Sequence, residues 1–222
     1  MFPRLSPDYR FSDILKTVLP AKTDAVKLLQ MKFLSITGHK HALAFRYGRS
    51  GLYFLLKALD KKKAKYVVLP SYNCVVMAHS IIKAGYKPIF LDSHKGSFQP
   101  SFNDFIDTIN RYGNEIAMII PTHLFGITEE TKLLYEYFKK SHPSVFVLQD
   151  CAHGFFCKGT DECLAIEYSD GALFGMNISK LVNSVKGGML TVNNTALATK
   201  IENLHKAESR QNYQIMQSIL AR

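Results

Sequence analysis

The chain has 222 residues, 47% hydrophobic and 21% charged, with a formal net charge of +10. That balance excludes a disordered, collagen-like or disulfide-stapled chain, and 222 residues suffice for one substantial core or two small ones. Apolar runs such as Cys74–Ala78 and Ile116–Ile120 fall far short of the ~20 residues a membrane-spanning helix needs.

Residues 1–65 hold 14 Lys/Arg against 4 Asp/Glu, whereas residues 66–222 hold 14 against 14. The excess charge therefore sits in the N-terminal third, where it would suit an anionic ligand or surface. No aromatic-basic motif, zinc finger or basic heptad accompanies it, so no nucleic-acid partner is expected. Lys61-Lys62-Lys63 reads as a solvated loop. The start, Met1-Phe2-Pro3-Arg4, opens on no apolar stretch of the secretory kind. Four dispersed cysteines, Cys74, Cys151, Cys157 and Cys163, point to a reducing, cytoplasmic setting. They form no C-x-x-C pair, so no metal site is expected.

In chain order, residues 1–41 read as one or two helices with a basic face, leading through Gly38 into a first strand. Strands are expected at Ala42–Arg46, Lys65–Pro70, Pro88–Asp92, Ala117–His123, Val145–Asp150, Gly171–Met176 and Met189–Asn193. Several are almost wholly apolar, as strands buried on both faces of a parallel sheet must be. Between them Ser101 is a helix N-cap, followed by Phe102, Phe105, Ile106 and Ile109 at helical spacing. Thr128 precedes the acids Glu129 and Glu130, with Leu133, Leu134, Tyr137 and Phe138 as the apolar stripe. Residues 195–222 form one more helix. This alternation predicts an α/β fold: three layers, α/β/α, around a mostly parallel seven-stranded sheet.

Ligands of such sheets bind beyond the carboxyl ends of the strands, so the residues there are the candidates. Strand one leads into Arg46-Tyr47-Gly48-Arg49-Ser50-Gly51, a turn into a helix whose N–H groups can hold a phosphate. The same turn also serves as a plain tight turn. Strand two ends in Pro70-Ser71-Tyr72-Asn73-Cys74, where Ser71 or Asn73 can cap a helix. Strand four ends in Thr122-His123, and a single His there equally suits a satisfied core residue. Strand five runs Val145-Phe146-Val147-Leu148-Gln149-Asp150; a carboxylate ending so apolar a run needs a positive partner. Lys180 follows strand six and either lines the same rim or is a surface lysine. Gly187-Gly188 suits a strand-entry turn. A buried Asp, a rim Lys, a phosphate-cradling turn and a nearby aromatic are together what pyridoxal phosphate (PLP) requires. The carboxylate keeps the pyridine nitrogen protonated, and the lysine forms the Schiff base and moves the proton.

These segments resemble the DegT/DnrJ/EryC1/StrS sugar aminotransferases, PLP enzymes of fold type I. Gly48–Leu52 is similar to the family's Gly-Thr-Ala-Ala-Leu turn, Leu69–Asn73 to its Pro-Ser-Tyr-Thr segment and His123–Gly126 to its His-Leu-Tyr-Gly. Asp150–Gly154 resembles Asp-Ala-Ala-Gln/His-Gly, and Ser179-Lys180 followed by Gly187-Gly188 keeps the lysine-to-double-glycine spacing. The resemblance implies that Asp150 pairs with the pyridine nitrogen, Lys180 carries the internal aldimine and His153 lies near the ring's 3-hydroxyl. It further implies phosphate contacts from Gly48, Arg49 and Ser50, and cofactor contacts from Tyr72, Asn73 and Ser179. The departures are Gly175 where many relatives place a phosphate-binding Ser, Asn177 where a His is common, and Cys74 where an aromatic often stacks on the ring. The implied activity is PLP-dependent amination of a keto-sugar, nucleotide-linked, by glutamate or a similar donor, in a homodimer. The implied layout is an N-terminal helical segment (1–41), a PLP-binding large domain (42–194) and a C-terminal helix (195–222), with the family's small domain absent. The alternative is a non-catalytic relative acting as a binding or assembly partner, or one half of a split enzyme.

Overall fold

A computed structural model of the chain describes residue 12 and residues 24–59, 64–128, 130–159, 162–184 and 186–220, with backbone alone for 212–220. The lysine triplet 61–63, Glu129 and all but one residue before Asp24 lie outside the described residues. The elements are α1 (Ala25–Thr37), β1 (His41–Phe45), α2 (Gly48–Ala58), β2 (Tyr66–Pro70), α3 (Val75–Ala84), β3 (Lys87–Leu91) and α4 (Phe102–Tyr112). They continue with β4 (Ile116–Ile119), α5 (Thr131–Ser141), β5 (Phe146–Asp150), β6 (Gly171–Gly175), β7 (Gly188–Val192) and α6 (Thr195–Leu220). Every strand expected from the sequence is present. β4 ends at Ile119 rather than His123 because Pro121 has no N–H to continue the ladder.

The caps explain where the helices begin and end. Gly38 adopts φ 70°, a left-handed conformation open to glycine, and its N–H closes α1 on Leu34 O. Ser101 caps α4 in a reciprocal box: its hydroxyl accepts from Asp104 N, and its own N–H donates to Asp104 Oδ2 at 2.7 Å. Thr128 does not cap α5, which starts at Thr131 after Glu130. The α5 stripe is narrower than its sequence suggests, with Leu134 and Phe138 buried and Leu133 46% exposed.

The sheet order is β1-β7-β6-β5-β4-β2-β3. β7 is antiparallel to both its neighbours and the remaining pairings are parallel, so six strands point one way. Strand alternation then sorts side chains onto two faces. Leu43, Leu69, Met118, Leu148, Leu173 and Leu190 point to one face, in a core that α2, α3 and α6 supply with Leu52, Ile81 and Ile201. Val68, Ile119 and Val147 point to the other, against Phe105 and Ile109 of α4 and Leu134 and Phe138 of α5. On that same face Ala172, Phe174 and Met189 pack with Phe33 of α1. Each such buried side chain contributes about 1.5–3 kcal/mol of transfer free energy. The edge strand β3 carries Lys87 and Pro88, which an inner strand tolerates poorly.

One close approach couples the sheet to the start of α2. A Cβ on Gly188 would stand 2.1 Å from Gly48 N and 2.4 Å from Tyr47 C. Both obstacles are backbone and cannot rotate away. Gly188→Ala is therefore expected to cost about 1–3 kcal/mol and to displace the α2 N-terminus, seen as a lower melting midpoint and weaker phosphate binding.

Candidate active site

In chain order β2 and β3 step to one side of the sheet and β4 through β7 to the other, so the winding reverses between β2 and β4. Loops part at such a point and leave a crevice at the carboxyl edge. Here a cleft of about 740 Å3, open to solvent, is lined by Gly48, Arg49, Asn73, Asp150, His153 and Lys180, among others. Asn73 and Thr122 clasp across the reversal, Asn73 Nδ2 donating to Thr122 Oγ1 at 2.9 Å.

Asp150 ends β5 and is 5% exposed. Its backbone is held by Asp150 N to Pro121 O (2.9 Å) and His123 N to Asp150 O (3.1 Å), and Ala152 N–H donates to its Oδ1 at 3.1 Å. Burial pushes its carboxyl up to about 6, opposed by the Ala152 N–H and the Lys180 ammonium, which both favour the ionised form. Lys180 reaches the cleft from the loop after β6. Asn177 Oδ1 accepts both the N–H of Ser179 (3.1 Å) and its hydroxyl (2.8 Å), and Lys180 N–H donates to Asn177 O at 3.0 Å. The lysine stem then runs over Gly175, where a Cβ would sit 3.5 Å from Lys180 Cε and equally far from Ala152 Cβ.

At the head of α2, Tyr47 is extended and provides no capping side chain, so no side chain at the cap competes for the first-turn N–H groups, although Ser50 N already donates to Tyr47 O. The Arg49 guanidinium stacks 4.1 Å above the Tyr47 ring, which orients a cation beside that helix start. Among the described residues no group of three or more His, Cys, Asp and Glu side chains could hold a metal ion. The donor set fits pyridoxal phosphate: Asp150 is a buried carboxylate facing a cleft, Lys180 an amine across from it, and the α2 start an anion cradle.

Not every candidate reaches the cleft. Ser50 lines a separate groove behind α2 with His79 and Lys83, and its N–H donates to Tyr47 O. Tyr72 is 51% exposed and stacks on Phe98 at 5.8 Å instead. Ser179 is exposed and spends its hydroxyl on Asn177, shaping the turn that delivers Lys180. His123 is a core residue, donating from Nε2 to Gln149 Oε1 at 2.9 Å while Gln149 Nε2 donates to Tyr168 O. Burial lowers its imidazole to about 4 against that bond.

The cleft also includes Tyr47, Thr122 and Asn177, to which the sequence assigned no cofactor contact. Thr122 had a readable signal, being a polar residue just past an apolar strand, though its bridge to Asp150 comes only with the sheet. Asn177 had another, since Asn two residues before Ser is a side-chain-closed turn.

The chain belongs to the DegT/DnrJ/EryC1/StrS aminotransferase family, which it matches over residues 10–220. It is 25% identical over 181 residues to the GDP-perosamine synthase of Escherichia coli O157:H7, covering 82% of this chain and 48% of that protein. To the UDP-4-amino-4-deoxy-L-arabinose–oxoglutarate aminotransferase of Shewanella sediminis (strain HAW-EB3) it is 24% identical over 176 residues, 79% and 44% of the two chains. Its fold is similar to that of Spr1654 from Streptococcus pneumoniae in the PLP form, with a TM-score of 0.75 at 16% identity, covering 90% of this chain and 57% of that one. The chain spans about half the length of these curated relatives.

Proposed function

We propose that the chain is a PLP-dependent aminotransferase acting on a nucleotide-linked keto-sugar, with glutamate or a similar amino donor. The observation that carries this reading is the meeting of a buried Asp150 carboxylate and the Lys180 ammonium in one cleft at the winding reversal. When bound, the cofactor supplies an aldehyde conjugated to an electron-withdrawing ring.

Asp150 holds the positive charge on the ring nitrogen, and that charge relieves the desolvation that raises the carboxyl. The α2 start, with Gly48 and Arg49, holds the phosphate, and His153 stands by the ring's hydroxyl. Lys180 anchors the aldehyde end. Its Nζ takes the proton from the α-carbon of the amino donor and returns one to the sugar carbon being aminated. Asn177 orients Lys180, while the hydrogen bond from Asn73 to Thr122 ties the loops after β2 and β4 together beside the cleft.

We read residues 42–194 as the cofactor-binding domain. A second copy of the chain is its expected partner, a reading supported by Val75, Ile178 and Leu181, large apolar side chains exposed near the cleft. The four free thiols accord with a cytoplasmic setting.

Adding PLP to the purified chain is expected to give an absorbance band near the edge of the visible range that borohydride abolishes by reducing the lysine linkage. A chain that stays colourless with excess PLP would overturn the proposal in favour of a non-catalytic relative.

A further inference from the structure

Three loops at the carboxyl edge carry aromatic rings that the core does not use. Tyr72 follows β2, Phe98 follows β3, and Phe125 follows β4 in the turn Leu124–Gly126. They are 51%, 44% and 59% exposed. Phe90 and Phe156 are exposed as well, but Tyr72, Phe98 and Phe125 are set apart by standing in one continuous row of ring contacts. Tyr72 stacks on Phe98 at 5.8 Å and 28°, Phe98 meets Phe125 edge-on at 5.5 Å, and Phe125 meets His153 edge-on at 6.1 Å. His153 and Leu124 line the cleft, so the row begins at the cofactor site and runs outward from it.

The row is built, not incidental. Gln99, buried beside Phe98, donates from Nε2 to Thr122 O and to Ile127 O (3.4 Å), so one amide pins the Phe98 loop to both flanks of the Phe125 turn. Ser71 N donates to Leu91 O (2.7 Å) and Ser71 Oγ to Asp92 Oδ1 (3.3 Å), tying the Tyr72 loop to the end of β3. Phe125 itself sits at φ 59°, ψ 17°, a left-handed conformation costing a bulky residue on the order of 1–3 kcal/mol. A ring held out to solvent at that cost, packed on the rim rings Phe98 and His153 and not in the core, marks a binding surface.

We propose that Tyr72, Phe98 and Phe125 form the shelf on which the purine or pyrimidine ring of the substrate's nucleotide stacks, with the sugar reaching inward past His153. The inference rests on the nucleotide-sugar reading above and adds the seat of the base. Planar, exposed and pre-positioned rings favour a planar ligand, since base–aromatic stacking needs one free π-face and no matched hydrogen bonds.

The test is calorimetric titration of the PLP-loaded chain with UDP, GDP and dTDP, each compared with inorganic pyrophosphate, repeated on Phe98→Ala and Phe125→Gly. Glycine at 125 deletes the ring while accepting the backbone conformation, which separates ring loss from misfolding. At least one nucleotide is expected to bind more tightly than pyrophosphate and to weaken about tenfold in each variant, with pyrophosphate affinity and the PLP band unchanged. Nucleotide affinity indifferent to both substitutions, in a chain that takes up PLP, overturns the shelf alone. A wild-type dimer that both variants dissociate, with nucleotide affinity intact, also overturns it and assigns the row to a second copy. Failure of the wild-type chain to take up PLP overturns the aminotransferase reading and this inference with it.

Discussion

Asp150→Asn is expected to stabilise the cofactor-free chain at pH 8 by about 3 kcal/mol while crippling cofactor function. The figure follows from burial, which raises the carboxyl from 3.8 to about 6, and from about 1.4 kcal/mol for each unit of displacement. The sign follows from linkage. Between pH 4 and 6 the unfolded carboxyl has lost its proton and the folded one keeps it, so stability falls as pH rises through that window and the full cost is present above 6. Asparagine carries no charge to desolvate, so the gain should be complete at pH 8 and vanish near pH 4. For a chain of this size about 3 kcal/mol corresponds to a melting shift of roughly 6–12 °C. The same substitution removes the counter-charge of the ring nitrogen, so turnover and PLP affinity should drop together. A variant no more stable than wild type at pH 8 would show that Asp150 is not strained by burial.

The histidines set an opposite slope. Burial lowers His123 to about 4 and also lowers His39, which bonds Thr191 Oγ1 at 2.7 Å. Their folded forms resist protonation, so stability present above pH 6.5 is lost as pH falls toward 4. In wild type the Asp150 and His123 slopes oppose each other across the same window, flattening stability against pH. Asp150→Asn should unmask the histidine slope, giving a variant markedly more acid-sensitive than its parent, measurable as midpoints at pH 4.5, 6 and 8.

The sheet was legible because strands buried on both faces are mostly apolar, and their few polar members, such as Gln149, Asp150 and Thr191, are hydrogen-bonded. Runs such as Tyr66–Pro70 and Phe146–Asp150 admit no competing periodicity. The helix signals were weaker: Ser101 with Asp104 declares its cap, while Thr128, whose hydroxyl is buried without a hydrogen-bond partner, does not behave as one. The two central site residues were legible for the same reason as the sheet, since Asp150 is a charge at the end of an apolar strand and Lys180 follows another. What the sequence left hidden depends on directions that spacing does not encode. Arg49 lines both the cleft and the groove behind α2, whereas the adjacent Ser50 lines the groove and not the cleft. Tyr72 and Asn73 are adjacent, yet Asn73 turns inward to Thr122 and Tyr72 outward to Phe98. Strand order adds the rest: only the sheet brings Thr122 beside Asp150.

Lys180→Ala is expected to lower turnover by a factor of at least 10² to 10⁴, the range that loss of a positioned proton carrier produces, and to erase the borohydride-sensitive band. Two further measurements separate a chemical role from a structural one. Lys180 is one of the groups that pull the Asp150 carboxyl down. Removing it should therefore raise that carboxyl further and move the pH dependence of cofactor-free stability upward. Lys180→Arg keeps a positive charge facing Asp150, so its stability profile should stay close to wild type. A guanidinium holds its proton at any accessible pH, however, and offers no lone pair to the aldehyde or to a carbon-bound proton, so the Arg variant should be as inactive as the Ala variant. Small primary amines added to Lys180→Ala should restore part of the turnover, because the space over Gly175 left by the stem admits them, and should restore none in Lys180→Arg. An arginine variant retaining substantial turnover would remove Lys180 from the chemistry and leave it only as the counter-charge of Asp150.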